Sequence, residues 1–167
     1  MFQVGAANLE KFRLRPRAAN AMQKFPRGFH TQPDKIQISL HLLDLRRGEL
    51  GEAAAKKYLR RAGLKFLTAN FRSRRGEIDL IFRDGDCLVF VEVKARSSEE
   101  WTRPAAAVDA RKRRLLSQTA LDYLALIKNP EVKIRFDIVE VLLQDGEVRE
   151  VRHLPNTFSL SKPYRYG

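Results

Sequence analysis

Three charged residues stand inside the most hydrophobic stretch of the chain. In RRGEIDLIFRDGDCLVFVEVKARS, residues 74 to 97, Asp79 interrupts one apolar run, and Glu92 and Lys94 interrupt the next. Side chains alternate faces along a strand, so Glu92 and Lys94 share a face. Loop length decides where Asp79 falls. A two-residue Asp84-Gly85 turn, which the Asp-Gly pair favours, pairs Arg83 with Asp86 and Asp79 with Phe90. Asp79 and Glu92 are then diagonal neighbours, about 7 Å apart at the backbone. A four-residue loop would set them directly opposite, and only a one-residue slip would separate them.

Three readings of these acids compete. A charged, solvent-exposed face fits poorly, because IDLIF and CLVFVEVK are apolar on both faces, as in a sheet covered on both sides. A buried Glu–Lys or Asp–Lys pair costs desolvation and seldom adds net stability. A hard-cation site uses all three groups: two carboxylates with backbone carbonyls and water suit Mg²⁺, which keeps several waters and bridges to phosphate. A metal so placed polarises a phosphoryl oxygen and lowers the pKa of water. Lys94 can position that water or offset charge developing on phosphate. Spacing favours the third reading and leaves the others open.

The wider composition agrees with a polyanionic partner. The chain has 167 residues and a net charge of +12, an excess that most often reports nucleic acid. It says nothing about catalysis. Its length suits one domain with a tail. No apolar run approaches the roughly 20 residues needed to cross a bilayer. The single cysteine, Cys87, excludes an internal disulfide and a cysteine-based zinc site. That fits a reducing, cytoplasmic setting, with Cys87 a small core residue of its strand.

Residues 1–38 differ from the rest. They hold seven Lys/Arg against Glu10 and Asp34, three prolines and no sustained period. They lack the continuous apolar core of a secretory signal, and although Arg-rich like transit peptides they contain no Ser. They read as a disordered basic arm, or as the product of a start codon assigned too early. Residues 39–160 read as the domain and 161–167 as a tail. Within the domain, 46–62 is a helix stopped at Gly63, 64–71 a short strand, and 76–83 and 87–95 the hairpin. Residues 109–128 form a second helix N-capped by Asp109. Residues 132–143 form a long strand, and Asp145-Gly146 turns it into a last strand over 147–154. The order is α-β-β-β-α-β plus one strand, an α/β mixed sheet with flanking helices.

Glu92-Val93-Lys94 after an acid-bearing strand resembles the motif of the PD-(D/E)XK nuclease superfamily, and the element order resembles its restriction-endonuclease-like core. More closely, RRGELGEAAAKKYLRRAGLKFLTANFR, RGEIDLIFRDGDCLVFVEVKARS, FDIVEVLL and LPNTF resemble the YraN family, over roughly residues 46 to 160. Those small bacterial proteins are considered nuclease-like and similar to archaeal Holliday junction resolvases. The resemblance implies a metal-binding role for Asp79 and Glu92, a further ligand in the Val93 carbonyl, and the motif lysine in Lys94. It also implies a helical glutamate in Glu52, which spacing alone reads as an i,i+4 partner of Lys56. The implied cofactor is Mg²⁺ or Mn²⁺. The chain departs from the superfamily pattern in Ile78 where many members have Pro. Gln118 and Tyr123 are one residue too far apart for a Gln-Xaa-Xaa-Xaa-Tyr motif.

Arg72, Arg74 and Arg75 crowd the approach to Asp79 and are phosphate candidates, as is Arg96. Arg111 and Lys112, in the RKRR run, are either phosphate contacts or a solvated face. Asp137 reads as structural. His30, His41 and His153 show no ligand spacing, and Trp101 reads as packing. The expectation is a nucleic-acid-binding, Mg²⁺-dependent endonuclease hydrolysing phosphodiester bonds, with branched DNA among its candidate substrates. DNA is favoured over RNA, and a homodimer is suggested by analogy with resolvases. The alternative is a non-enzymatic nucleic-acid-binding module on a nuclease-like fold.

Overall fold

The computed structural model describes residues 35–97 and 108–166. The chain runs α1 (Lys35–Arg61), β1 (Lys65–Arg72), β2 (Glu77–Asp84), β3 (Cys87–Arg96), α2 (Ala110–Leu126), β4 (Lys133–Gln144) and β5 (Glu147–Phe158). This is the expected α/β order. The readings placed on residues 1–34, including His30, and on Trp101 lie outside the described residues.

Local chemistry accounts for most boundaries. α1 begins at Lys35 rather than 46, because no proline or glycine interrupts the chain between Pro33 and Gly48. It ends as expected: Gly63 takes φ +93, and Leu64 N–H donates to the Leu59 carbonyl at 3.1 Å. That left-handed glycine satisfies a carbonyl the helix would otherwise orphan. At the start of α2, the Asp109 carboxylate accepts from Lys112 N–H at 2.7 Å, the cap its residue type implied.

The five strands lie in sequence order, with β3 central. Only β3 and β4, joined through α2, are parallel; the other neighbours are antiparallel. The β2–β3 turn differs from expectation. Asp84 pairs with Cys87, so Gly85 and Asp86 form the loop, with Gly85 at φ +57. The sequence Asp-Gly-Asp offers two tight turns, and the chain uses the one that puts glycine first, as a type II′ turn requires. The register moves by two in the pairing sum, so face parity is kept. Asp145 (φ +51) and Gly146 (φ +81) form the second hairpin as expected.

Both faces of the sheet are covered. Ala55 and Leu59 of α1 pack on Leu80, Phe82, Val89, Val91, Val139 and Val141. Leu116, Ala120, Tyr123 and Leu124 of α2 pack on Ile81, Leu88, Phe90, Phe136 and Ile138 on the other side. This two-sided burial explains why β3 and β4 read as continuous apolar runs. α1 approaches β3 so closely at Gly51 that an added Cβ would lie 2.8 Å from Ala95 Cβ. The glycine is therefore a packing requirement set beside the Glu92-Val93-Lys94 segment.

β5 runs past 154 to Phe158, further than its irregular composition suggests. Asn156, at φ +50, donates its N–H to Asp137 Oδ1 at 2.8 Å, which carries the strand through a register shift near Phe136. Phe158 then stacks on Phe136 at 4.7 Å. The chain beyond 160 packs against the α2-side core through Tyr166, and Ser161 N–H donates to Ser117 Oγ at 3.0 Å. Cys87 is only partly buried, at the hairpin end, rather than in the core.

Candidate functional site

The β2–β3 ladder ends at the pair Leu80–Val91. Beyond it the strands part, and Asp79 fills the opening. Its Oδ2 accepts from Val93 N–H at 2.7 Å, so a side chain replaces the missing ladder bond. On β3, Val93 and Ala95 face α1 at Gly51. Glu92 and Lys94 face the α2 side, in register with Ile138 and Glu140. The acids and lysine of the hairpin thus meet where the sheet splays.

Glu92 is almost wholly buried, 4 % exposed. One oxygen, Oε1, takes two ammonium groups: Lys94 Nζ at 2.8 Å and Lys112 Nζ at 3.0 Å. The other, Oε2, is buried without a hydrogen-bond partner. A buried carboxylate oxygen left so is costly unless something else reaches it. Asp79 is pushed up from 3.8 to about 7, first by burial and then by the negative charge of Glu92; Glu52 adds to the rise, while the Val93 N–H and Lys112 oppose it. Glu52 is therefore close enough to α1's end of the site for its charge to be felt. Lys56, the partner spacing offered it, puts its ammonium 3.7 Å over the Phe66 ring.

That arrangement has a consequence for stability. Between about pH 4 and pH 7 the folded protein holds a proton at Asp79 that the unfolded chain has released. Stability therefore falls as pH rises through this window and levels off above it. Asp79→Asn keeps an oxygen for the Val93 N–H and removes the charge. In EDTA the variant should melt several degrees above wild type at pH 8, with the gap closing towards pH 4. A gap that does not change with pH would contradict the assignment.

Around this centre the predicted phosphate contacts divide. Arg72 pairs with Glu77 at 3.1 Å and Arg75 with Asp122 at 3.5 Å. Arg74 and Arg111 are exposed. Arg96 lies 4.0 Å from Glu140, a fully buried carboxylate whose two oxygens have no hydrogen-bond partner. Sequence reasoning missed Glu140: it stands in FDIVEVLL like Asp137, but its place opposite Lys94 depends on a parallel register that no local pattern encodes. Asp137 is structural, as expected. Wholly buried, it accepts from Arg135 Nε at 3.1 Å and Asn156 N–H, and bonds His153 Nε2 at 2.9 Å.

Among the described residues no three His, Cys, Asp or Glu side chains are grouped as a full protein ligand set. The donors do fit an ion that needs few protein ligands. Asp79 and the orphaned Glu92 oxygen are hard carboxylates, and a strand residue's N–H and C=O point to one side, which puts the Val93 carbonyl towards Asp79. Mg²⁺ characteristically binds through one or two carboxylates and keeps water.

Residues 51–141, which contain Asp79, Glu92, Lys94, Lys112 and Glu140, match the model of the uncharacterised protein family UPF0102. The chain belongs to that family. A UPF0102 protein of Syntrophus aciditrophicus is 46 % identical over 118 residues, covering 71 % of this chain and 92 % of that protein. One from Trichlorobacter lovleyi is 43 % identical over 115 residues, covering 68 % and 91 %. A third, from Geobacter metallireducens, is 41 % identical over 124 residues, covering 74 % of this chain and 99 % of the relative. These UPF0102 relatives are nearly as long as the matched segment, so the family corresponds to the α/β unit that carries the site. Among the described residues of this UPF0102 chain, no helix is long and apolar enough to cross a membrane.

Proposed function

We propose that this chain is a divalent-cation-dependent hydrolase of nucleic-acid phosphodiester bonds, with DNA the favoured substrate. The observation that carries the reading is the Glu92 carboxylate, buried beside Asp79 with one oxygen shared by two lysines and the other without a partner. Asp79 and Glu92 would hold Mg²⁺ or Mn²⁺ with the Val93 carbonyl, and Glu52 would bear on it from α1. Bound there, the ion supplies Lewis acidity to a phosphoryl oxygen and acidifies water.

The remaining work falls to the chain. Lys94, fixed by Glu92, presents an ammonium at the site and can orient a water or stabilise negative charge on the phosphate. Asp79, held by the Val93 N–H, keeps its carboxylate at the opening of the sheet. Exposed Arg74 and Arg111 supply phosphate contacts, in keeping with the net charge of +12. A second reading, a binding module without catalysis, draws on the fact that Lys94 and Lys112 already neutralise one oxygen of Glu92.

Labelled duplex, single-stranded and branched DNA, with an RNA control, separate the two. Product that forms in Mn²⁺ or Mg²⁺ and not in EDTA supports the hydrolase. Salt-sensitive binding with no product under any metal condition supports the module.

A further inference from the structure

Lys112 reaches the site from another element than the hairpin. Its backbone N–H is fixed by Asp109 Oδ1 at 2.7 Å, so the first turn of α2 is anchored. Its ammonium nevertheless lies 3.0 Å from Glu92 Oε1, the same oxygen that Lys94 takes at 2.8 Å. Its side chain is 37 % exposed, whereas Glu92 is 4 % exposed, so it reaches inward from the surface. Its neighbours Arg111 and Arg114 on the same helix are exposed.

Two ammonium groups on one buried oxygen form a counter-ion arrangement suited to a site without a metal. Lys94 and Lys112 already take up Glu92 Oε1, and Glu92 Oε2 lies buried without a hydrogen-bond partner. A divalent cation arriving at Oε2 would bring two further positive charges beside the two ammonium groups. Like charges a few ångströms apart repel strongly in a partly dry site. Lys94 is confined to the central strand. Lys112, 37 % exposed against 31 % for Lys94, is set apart by the basic helix surface beside it, where Arg111 and Arg114 are exposed.

We propose that Lys112 is an exchangeable counter-ion: it occupies Glu92 while the site lacks a divalent cation, and transfers to a nucleic-acid phosphate when one binds. The proposal rests on the cation-dependent reading above and adds to it an order of events. Metal binding would release the lysine that completes the phosphate contact, so metal and nucleic acid would favour each other's binding.

The test is calorimetric titration of Mn²⁺ into the full chain and into Lys112→Met, which keeps the apolar stem and removes the charge. The variant should bind Mn²⁺ about tenfold more tightly, since a charged competitor is gone. A 20-base-pair duplex should bind wild type and variant alike in EDTA. In Mn²⁺ the variant should bind it more weakly, with the salt slope reduced by about one. A lysine that merely contacts phosphate would weaken binding in both buffers. Equal or weaker Mn²⁺ affinity in the variant, with the wild type binding Mn²⁺, would overturn this proposal and leave the hydrolase reading standing. If neither protein takes up Mn²⁺, with or without the duplex, the cation reading itself fails and takes this proposal with it. Mn²⁺ binding by Lys112→Met alone would support it.

Discussion

Glu92→Gln should abolish cation-dependent cleavage, lowering the rate by more than about 100-fold, while leaving the protein folded and bound to nucleic acid. The substitution is nearly isosteric. It removes one negative charge from a side chain that is 4 % exposed and that carries both lysines and the orphaned Oε2. A neutral amide is a poor ligand for a hard cation and a poor acceptor for two ammonium groups, so the heat of Mn²⁺ binding should disappear with the activity. Duplex affinity should stay within a few-fold of wild type, or tighten, because the arginines are untouched and a carboxylate has gone. Three measurements on one preparation decide the matter: Mn²⁺ calorimetry, duplex binding and thermal melting. Cleavage at the wild-type rate would sink the assignment. Loss of folding together with activity would make Glu92 a structural residue and favour the binding module.

Asp137→Ala should have the largest effect on stability, on the order of 3–5 kcal/mol. Asp137 is wholly buried and gathers a guanidinium, an imidazole and a backbone N–H from β4 and β5. Truncation removes the Arg135 contact, leaving its bond to Asp84 at 2.7 Å, and leaves Asn156 N–H without its acceptor at the register shift. For a chain of this length the melting temperature should fall by roughly 10 °C or more. Asp137→Asn, which retains an acceptor for Asn156, should lose less. Asp137 pairs in register with Val91, on the α1 side of the sheet, whereas Glu92 faces α2. The loss should therefore appear in melting and not in Mn²⁺ affinity measured below the transition. A melting temperature within a degree or two of wild type would show that this network is dispensable.

The contrast between these two carboxylates marks how far local pattern reaches. Both interrupt an apolar strand, and the sequence distinguished them only through context: Glu92 lies two residues from a lysine in a hairpin that carries a second acid. Period-two alternation put Glu92 and Lys94 on one face whatever the fold around them. Even loop parity held where the strands pair, although the turn used Gly85-Asp86 and not Asp84-Gly85; the ladder ends at Leu80–Val91, and Asp79 is tied to β3 by the Val93 N–H instead. Asp109 as a cap and Gly63 as a stop were equally legible, since each answers a need of the four or five residues beside it.

Tertiary structure decided what the hairpin meets. Lys112 was legible as a basic residue on a helix, but its contact with Glu92 exists because α2 crosses the sheet and returns along a parallel strand. Glu140 faces Lys94 for the same reason, and Glu52 bears on Asp79 because Gly51 lets α1 settle against Val93 and Ala95. Side-chain face is a local property, fixed by backbone geometry over two residues. Which charges share a site is fixed by how two helices pack on opposite faces of one sheet, and that depends on burial summed over the whole unit.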